Sequence, residues 1–435
     1  MEREVYNRLL EWKNKIGRKP LILDGARQVG KTWILQEFGK NEYKNVVYIN
    51  CDKVSEMKTI FSDFDTKRLL RAFSAITEEI ITPGDTLIIL DEIQKTQGGL
   101  TALKYFCEDA PEYHIIAAGS LLGVKMHSGT GFPVGKVDEI SMHAMSFMEF
   151  IKASGNEILH TQIKEGRWEE LSVFREKLIS LLRQYYYVGG MPEAVGEYFR
   201  TDNLMEVRNI QNRIINDYEK DFSKHVPDSI LSKVQMVWNS IPSQLAKENK
   251  KFVYGAIKKG GRAKEFEDAI QWLIDAGLIF KVKRVDKIEK PLKFYENISS
   301  FKLFINDLGL LGAMSDVTAR EVITGENYFE EYKGAFTEQF VAQELNSLDI
   351  NLYYFSKENS TLEIDFLIQK ENVYPIEVKA EENLKSKSLR TVYENNKSLK
   401  PCRFSMAGYR KQEWMVNVPL YLAREWMKAI TGNSK

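Results

Sequence analysis

The sequence predicts a multidomain protein of the α/β class, with a parallel sheet enclosed by helices in its first half. Three observations indicate this class. Short apolar runs typical of buried strands alternate with helical segments, apolar residues recur at helical spacing in the middle, and two alternating strands lie near the carboxyl end. A length of 435 residues leaves room for two to four domains.

Composition excludes several classes of protein. A hydrophobic content of 43% and a charged content of 28% are ordinary for a globular chain, and a net charge of zero limits nucleic-acid binding to a local patch. The three cysteines (Cys51, Cys107 and Cys402) are far apart, and the five histidines have no metal-ligand spacing. We therefore expect a cytoplasmic protein, and we expect no signal peptide and no membrane span.

The segment Leu21–Thr32, LILDGARQVGKT, is an apolar strand followed by the complete G-x-x-x-x-G-K-[ST] phosphate loop. In such loops the backbone N–H groups and the positive end of the next helix bind phosphates. Lys31 would reach the β- and γ-phosphates of ATP, and Thr32 would place a hydroxyl on Mg²⁺. The alternative is a structural turn of similar sequence. The predicted nucleotide-binding residues are Gly25, Ala26, Arg27, Gln28, Val29, Gly30, Lys31, Thr32 and Trp33.

A second apolar run, TLIILDE from Thr86 to Glu92, predicts a buried strand that ends in two acids. The carboxyl ends of parallel strands are where ligands bind. Asp91 would hold Mg²⁺ through water, and Glu92 would polarise the water that attacks ATP. The alternative, a strand that ends in two solvated acids, is weakened by the phosphate loop upstream.

These stretches resemble a family of prokaryotic AAA+ ATPases that carry a C-terminal restriction-endonuclease-like domain. The resemblance lies in GARQVGKT, LIILDEIQK, AAGSLLG and PVGKVDEISMHAMSFMEF, together with motifs described below. It implies a helical lid, a winged helix and a nuclease-like domain after the ATPase domain. The family usually has Gly-Arg where this chain has Gly135 and Lys136, and a lysine offers a point charge in place of the planar guanidinium of an arginine finger.

Two further residues follow from the resemblance to AAA+ ATPases. Ser120 ends the strand that begins at His114 and takes the place of the sensor-1 polar residue, where it could bind the γ-phosphate or the water. Pro192, in YYYVGGMPEAV, would lie near the adenine at the start of the lid. The alternatives are a strand-to-turn serine and a helix-breaking turn, respectively.

The middle of the chain predicts helices over 207–225 and 230–241, and a third helix that Gly277 ends. Strands Ile279–Val285 and Leu292–Asn297 would follow, which is the order of a winged helix. Basic residues flank the second and third helices and could bind phosphates, although acidic neighbours favour a solvated face as the alternative. These residues are Lys250, Lys251, Lys258, Lys259, Arg262 and Lys264.

Near the carboxyl end, strands over 361–369 and 373–380 resemble the hairpin of a PD-(D/E)xK nuclease. Asp365 lies on the first strand, and Glu377 and Lys379 on the second strand share one face because they are two residues apart. Asp365 and Glu377 could share Mg²⁺, and Lys379 would orient the attacking water. The alternative is an ordinary amphipathic sheet with a charged outer face.

A glutamate on the preceding helix usually completes such a site. The family spacing Gly334-x-x-x-Glu338 selects Glu338, whereas the helical wheel places Glu344 nearer the middle of the apolar arc. Glu363 shares a face with Asp365 and is a substitute ligand. These candidates stay open on sequence alone.

The sequence thus predicts an AAA+ domain with a lid (1–205), a helical and winged-helix section (206–325) and a PD-(D/E)xK nuclease-like domain (326–435). The leading hypothesis is an ATP-hydrolysing, Mg²⁺-dependent protein that acts on DNA. The alternative is a nucleotide-dependent switch whose last domain binds DNA or a protein partner without cleavage. A small-molecule kinase is a weaker hypothesis, because a kinase needs no glutamate that activates water. A protein partner and an oligomer are both compatible with the sequence.

Overall fold

The computed structural model describes residues 1–120, 123–124, 132–247, 250–324, 330–357, 360–381 and 385–432. It contains two units. The first comprises Met1–Ala144 with Asp275–Leu278, and the second comprises Met145–Ile274 with Ile279–Lys435. The domain boundaries near residues 205 and 325 stay a prediction.

The first unit is a parallel sheet with helices along the chain between its strands. Its strands lie in the order β2-β3-β4-β1-β5, and every pair in the sheet is parallel. The elements are α1 (Val5–Lys13), β1 (Leu21–Asp24), α2 (Lys31–Glu42), β2 (Asn45–Asn50), α3 (Thr66–Thr77), β3 (Thr86–Asp91), α4 (Gly99–Asp109), β4 (His114–Ala118) and β5 (Asp138–Ser141).

This sheet confirms the predicted α/β class and shows why the chain alternates as it does. Strands β3 and β4 are buried along their whole length, as expected for wholly apolar runs in a parallel sheet. Strand β4 lies between β3 and β1, so the carboxyl ends of three adjacent strands meet at one edge. The phosphate loop, the acidic pair and Ser120 follow β1, β3 and β4, respectively.

The second unit begins with helices and continues into a mixed sheet. Its helices are α5 (Phe147–Ala153), α6 (Glu157–Lys164), α7 (Arg175–Val188), α8 (Pro192–Thr201), α9 (Leu204–His225), α10 (Asp228–Leu245), α11 (Tyr254–Ile257), α12 (Ala263–Asp275), α13 (Leu308–Met314), α14 (Ala319–Thr324), α15 (Glu330–Asn346), α16 (Lys387–Asn395) and α17 (Ala423–Thr431). Its strands are β6 (Ile279–Val285), β7 (Glu296–Ile305), β8 (Tyr353–Ser356), β9 (Glu363–Gln369), β10 (Val373–Val378), β11 (Cys402–Ser405), β12 (Arg410–Lys411) and β13 (Val416–Pro419).

The eight strands of this unit form one sheet in the order β12-β13-β11-β10-β9-β8-β6-β7. The hairpin β6–β7 therefore belongs to the same sheet as the hairpin β9–β10, because β6 pairs with β8 in parallel and β8 pairs with β9. A sheet that connects the two hairpins was not foreseen from the sequence.

The predicted helices at 207–225 and 230–241 are confirmed as parts of α9 and α10. The order of α10, α11, α12 and the hairpin agrees with a winged helix, which stays a prediction. The strand expected at Leu292–Asn297 was wrong: residues Leu292–Tyr295 form a 3₁₀ turn, and β7 begins at Glu296 and runs to Ile305. Leu292 is fully buried, so packing outweighs the alternating pattern there.

Among the described residues, no helix is both long and apolar enough to cross a membrane.

Candidate functional site

The phosphate loop joins β1 to α2, and two glycines set its conformation. Gly25 and Gly30 have φ angles of +141° and +96°, a region that L-residues with side chains rarely adopt. A Cβ atom on Gly25 would lie 2.2 Å from the carbonyl oxygen of Met142, so only glycine fits. Because Gly30 immediately precedes α2, the first N–H groups of the helix face the loop.

Lys31 is buried, and its ammonium is hydrogen-bonded to the phosphate loop itself. Its ammonium donates hydrogen bonds to the carbonyl oxygens of Gly25 and Ala26, both at 2.7 Å. Burial lowers the pKa of Lys31 to about 8, and the negative charges of Glu92, Asp24 and Asp91 oppose that shift. A phosphate that enters the loop can replace these two carbonyls as the partner of the ammonium.

Thr32 and Asp91 form the predicted magnesium pair. The Thr32 hydroxyl donates to Oδ2 of Asp91 at 2.8 Å, and Asp91 is 4% exposed. Tyr48 donates to the same oxygen at 2.9 Å. A hydroxyl and a carboxylate at this separation are the oxygen donors that Mg²⁺ uses beside a nucleotide, so the residues present fit this ion.

Glu92 follows directly and has a strained backbone, with φ at +55°. Its two carboxylate oxygens accept hydrogen bonds from different side chains, Gln94 at one oxygen and Ser120 at the other, the latter at 3.4 Å. The structure thus brings the predicted sensor Ser120 to the predicted base Glu92. A Cβ atom on Gly119 would collide with the amide of Gln94, so this glycine leaves the room that Gln94 occupies.

Sequence reasoning missed two residues at this site, Tyr48 and Gln94. Tyr48 lies on β2, and the register of β2 with β3 brings the carboxyl end of β2 beside Asp91. Gln94 lies only two residues after Glu92 and could have been noticed as a neighbour in the sequence.

The other predicted nucleotide-binding residues lie at different depths. Ala26 and Val29 are buried, Arg27 is exposed, Gln28 has a φ of +67°, and Trp33 is 46% exposed. Pro192 is the first residue of α8, in the second unit. Its role near adenine stays a prediction. Within the motif AAGSLLG, residues 121 and 122 lie outside the described part of the chain.

The predicted carboxylates of the second unit lie on the antiparallel pair β9–β10. Ile376 pairs with Phe366, and the same register carried on by one residue places Glu377 opposite Asp365 on one face. Asp365 accepts the N–H of Val378 at 2.7 Å. Lys379 lies 3.2 Å from an oxygen of Glu377, whose other oxygen is buried without a hydrogen-bond partner.

Glu338, on α15, lies at this site between two ammonium groups. Lys302 donates to one of its oxygens at 2.9 Å, and Lys250 lies 2.6 Å from the other. Burial alone would raise the pKa of Glu338, but the two lysines hold it below the usual value. Burial and the charge of Glu338 raise the pKa of Asp365 to about 7. Glu338 binds the same Lys302 ammonium as Glu363, and Glu363 shares a face of β9 with Asp365.

Glu344 lies elsewhere, because one of its oxygens accepts the N–H of Phe147 at 2.9 Å at the start of α5. Glu338, which the family spacing selects, shares the ammonium of Lys302 with Glu363 on β9, and its role as a ligand stays a prediction. Glu363, the substitute ligand, accepts a hydrogen bond from Lys302 at 2.8 Å. Neither Lys302 nor this contact of Lys250 was foreseen, although a lysine inside the apolar run FKLFI was a signal.

This arrangement does not fit Mg²⁺. Both oxygens of Glu338 are bound by ammonium groups, and one oxygen of Asp365 is bound by a backbone N–H. Across the described ranges, no three His, Cys, Asp or Glu side chains are grouped so that they could hold a metal ion. Metal binding by Asp365 and Glu377 stays a prediction.

Three family models match parts of the chain. Residues 17–151 match an AAA domain, which covers the phosphate loop and the acidic pair. Residues 179–321 match a domain of unknown function, DUF8612, and residues 333–421 match another, DUF4143. The match to the AAA domain covers most of the first unit, and the carboxylate face lies within the DUF4143 match.

The solved structures that match the chain are distant from it. The Walker-type ATPase PABY2304 of Pyrococcus abyssi is 15% identical, with a TM-score of 0.44 over 72% of this chain and 95% of that chain. The Orc1 protein of Aeropyrum pernix, solved in complex with DNA, is 13% identical, with a TM-score of 0.28 over 72% and 91%. Cdc6p of Pyrobaculum aerophilum is 12% identical, with a TM-score of 0.25 over 74% and 96%. No curated protein matched the chain.

Proposed function

We propose that this protein hydrolyses ATP with Mg²⁺ in its first unit and uses the nucleotide cycle to act on DNA. The observation that supports hydrolysis best is that Glu92 follows the magnesium pair and has both carboxylate oxygens oriented by hydrogen bonds from Gln94 and Ser120. A base that activates water must be held in this way if it is to act on one face of the γ-phosphate.

The residues of the loop bind and orient the triphosphate. Lys31 exchanges the carbonyls of Gly25 and Ala26 for phosphate oxygens, and the N–H groups at the start of α2 face the same charge. Thr32 and Asp91 would hold Mg²⁺, which would supply positive charge to neutralise the β- and γ-phosphates. Glu92 then accepts the proton of the attacking water, while Ser120 keeps the carboxylate in place.

Action on DNA is supported by a local basic surface. Lys258, Lys259, Arg262 and Lys264 are all exposed in and beside the connection between α11 and α12. Because the whole chain has zero net charge, sequence-independent binding to phosphates needs such a cluster. Lys250, which the sequence grouped with this surface, is instead bound to Glu338.

ATP turnover tests this proposal. We expect wild-type protein to hydrolyse ATP faster when duplex DNA is present, and Glu92→Gln to lower kcat roughly 100-fold while ATP still binds. The exposed Glu79→Gln is the matched control and should leave turnover unchanged. Full turnover by Glu92→Gln would contradict the role of this carboxylate. An equal wild-type rate of ATP hydrolysis with and without duplex DNA would contradict DNA as the partner.

A second candidate function is a nucleotide-dependent switch whose last domain binds DNA or a protein without cleavage. The two ammonium groups on Glu338 favour it over a Mg²⁺-dependent nuclease. Cleavage of plasmid DNA in Mg²⁺ or Mn²⁺, compared between wild type and Asp365→Ala, separates the two. Nicking that disappears in the variant would establish the nuclease. ATP hydrolysis together with filter binding of DNA and no nicking would favour the switch.

A further inference from the structure

The carboxylate face of the second unit already contains cations that belong to the chain. Lys302 is fully buried on β7, and its ammonium binds Glu338 and Glu363. The same ammonium lies 4.8 Å from the centre of the Tyr354 ring. Lys302 is thus a permanent part of the sheet, since three groups from three different elements satisfy it.

Lys250 differs from Lys302 in where it comes from. It lies in the connection between α10 and α11, not in the sheet, and its backbone has a φ of +47°, which is unfavourable for a lysine. Its side chain is 15% exposed, whereas the carboxylate that it meets is 3% exposed. Lys250 is therefore partly exposed, whereas the side chain of Lys302 is fully buried.

The charges at this face explain what Lys250 does. Glu338, Glu363, Asp365 and Glu377 supply four carboxyl groups, against the three ammonium groups of Lys250, Lys302 and Lys379. With Lys250 and Lys302 in place, a divalent cation would meet two positive charges at contact distance and would find no unoccupied oxygen on Glu338. Without Lys250, one oxygen of Glu338 becomes available at a face with an excess of negative charge.

We propose that Lys250 is a tethered counter-ion that takes the place of a divalent cation at Glu338, so that this conformation of the domain excludes metal. The site is therefore closed by a residue from outside its own sheet, and displacement of Lys250 opens it. This inference rests on the proposed function only where it concerns the domain proposed to act on DNA. Its test measures metal binding without ATP or DNA, so the inference can fail while the proposed function holds.

Binding of Mn²⁺ to the full-length, nucleotide-free protein tests the proposal, with electron paramagnetic resonance to measure the ion left free in solution. Asp365→Asn in each background identifies binding at this face and separates it from any Mn²⁺ at Thr32 and Asp91. We expect no Asp365-dependent binding in wild type. We expect Asp365-dependent Mn²⁺ binding in Lys250→Ala, with an affinity at least roughly tenfold higher than that of wild type. Lys224→Ala, which removes an exposed lysine of α9, is the matched control and should behave as wild type.

Each outcome is decisive. Asp365-dependent Mn²⁺ binding in wild type would overturn the proposal, because the lysine would then not exclude metal. Absence of such binding in Lys250→Ala would also overturn the proposal, because Lys302 alone would then be enough to exclude the metal ion. Lys250→Met, which keeps the length of the side chain, gives a second test if the alanine variant folds poorly. Mn²⁺ binding that appears in Lys250→Met and is removed by Asp365→Asn would support the proposal. No Mn²⁺ binding in Lys250→Met would refute it.

Discussion

At the scale of the residue, the predicted ATP site is organised by side chains that bind one another. Lys31 binds the carbonyls of its own loop, Asp91 binds Thr32, and Glu92 binds Gln94. Each charged group therefore has a partner that a nucleotide or a metal ion can replace. A buried charge with such an exchangeable partner destabilises the fold less than an isolated buried charge, which costs several kcal/mol.

The pH dependence of ATP affinity follows from Lys31. Burial lowers its pKa to about 8, so the ammonium loses its proton within an accessible pH range. Phosphate binding favours the charged form, and the affinity should therefore fall about tenfold between pH 7 and pH 9. Kd measured by fluorescence titration checks this. The ATP affinity that remains in Lys31→Arg should not change between pH 7 and pH 9, because a guanidinium stays charged. A wild-type affinity that does not change with pH would contradict this role of Lys31.

Gln94 is a positioning residue for Glu92. Its amide orients one carboxylate oxygen, so Gln94→Ala should lower kcat about tenfold and leave the KM for ATP within about twofold. Steady-state kinetics of this variant beside the exposed control Gln97→Ala measures the effect. An unchanged kcat, or a loss confined to KM, would show that this contact does not contribute to the chemical step.

At the scale of the element, one buried carboxylate connects three helices of the second unit. Asp307 accepts the N–H of Leu310 at the start of α13, and it accepts the N–H of Gly190 between α7 and α8 at 2.6 Å. Its side chain is fully buried, so both donors depend on it. The turn Gly189–Gly190, which the sequence linked to the lid, is thus fixed by a residue far away in the chain.

Loss of this carboxylate should destabilise the second unit. Asp307→Ala leaves two buried N–H groups unpaired, and we expect the free energy of unfolding to fall by roughly 2–4 kcal/mol. Urea denaturation monitored by tryptophan fluorescence measures the loss. The exposed Asp268→Ala should change stability by less than about 0.5 kcal/mol, and an equal loss in both variants would contradict the role of Asp307.

The same group gives a pH dependence with a defined sign. Burial raises the pKa of Asp307 to about 6 from 3.8, so the folded chain keeps a proton that the unfolded chain releases. The contribution of Asp307 to stability therefore falls as pH rises from about 4 to about 6, by roughly 1 kcal/mol between pH 5 and pH 7.5. Asp307→Asn should lose this slope in urea denaturation, and a slope equal to that of wild type would refute the assignment.

At the scale of the whole molecule, the proposal requires that the nucleotide cycle of the first unit affects the second. A non-hydrolysable ATP analogue should slow hydrogen exchange at residues 21–32 by direct binding, and it should also change exchange at residues 363–378. Lys31→Ala should show neither effect. Hydrogen–deuterium exchange with mass spectrometry measures both regions, and an effect limited to the first region would argue against an ATP-driven action of the second unit.

Much of the first unit could be predicted because its chemistry is local in sequence. The phosphate loop is contiguous, and the acids follow directly on an apolar strand, so motif spacing alone was enough to name Lys31, Thr32, Asp91 and Glu92 as candidates. Tyr48 escaped because its relation to Asp91 arises from strand register between β2 and β3, which apolar runs do not reveal.

The sequence by itself determined the α/β class, the phosphate loop and the pair of strands that carries Asp365 and Glu377. Only the tertiary structure decided which charges meet these carboxylates. Lys250, Lys302 and Glu338 come from three separate elements, and a helical wheel ranks glutamates by the face of one helix alone. Burial made the difference, because a carboxylate removed from water takes whichever cation the fold brings to it, and the fold brings two lysines.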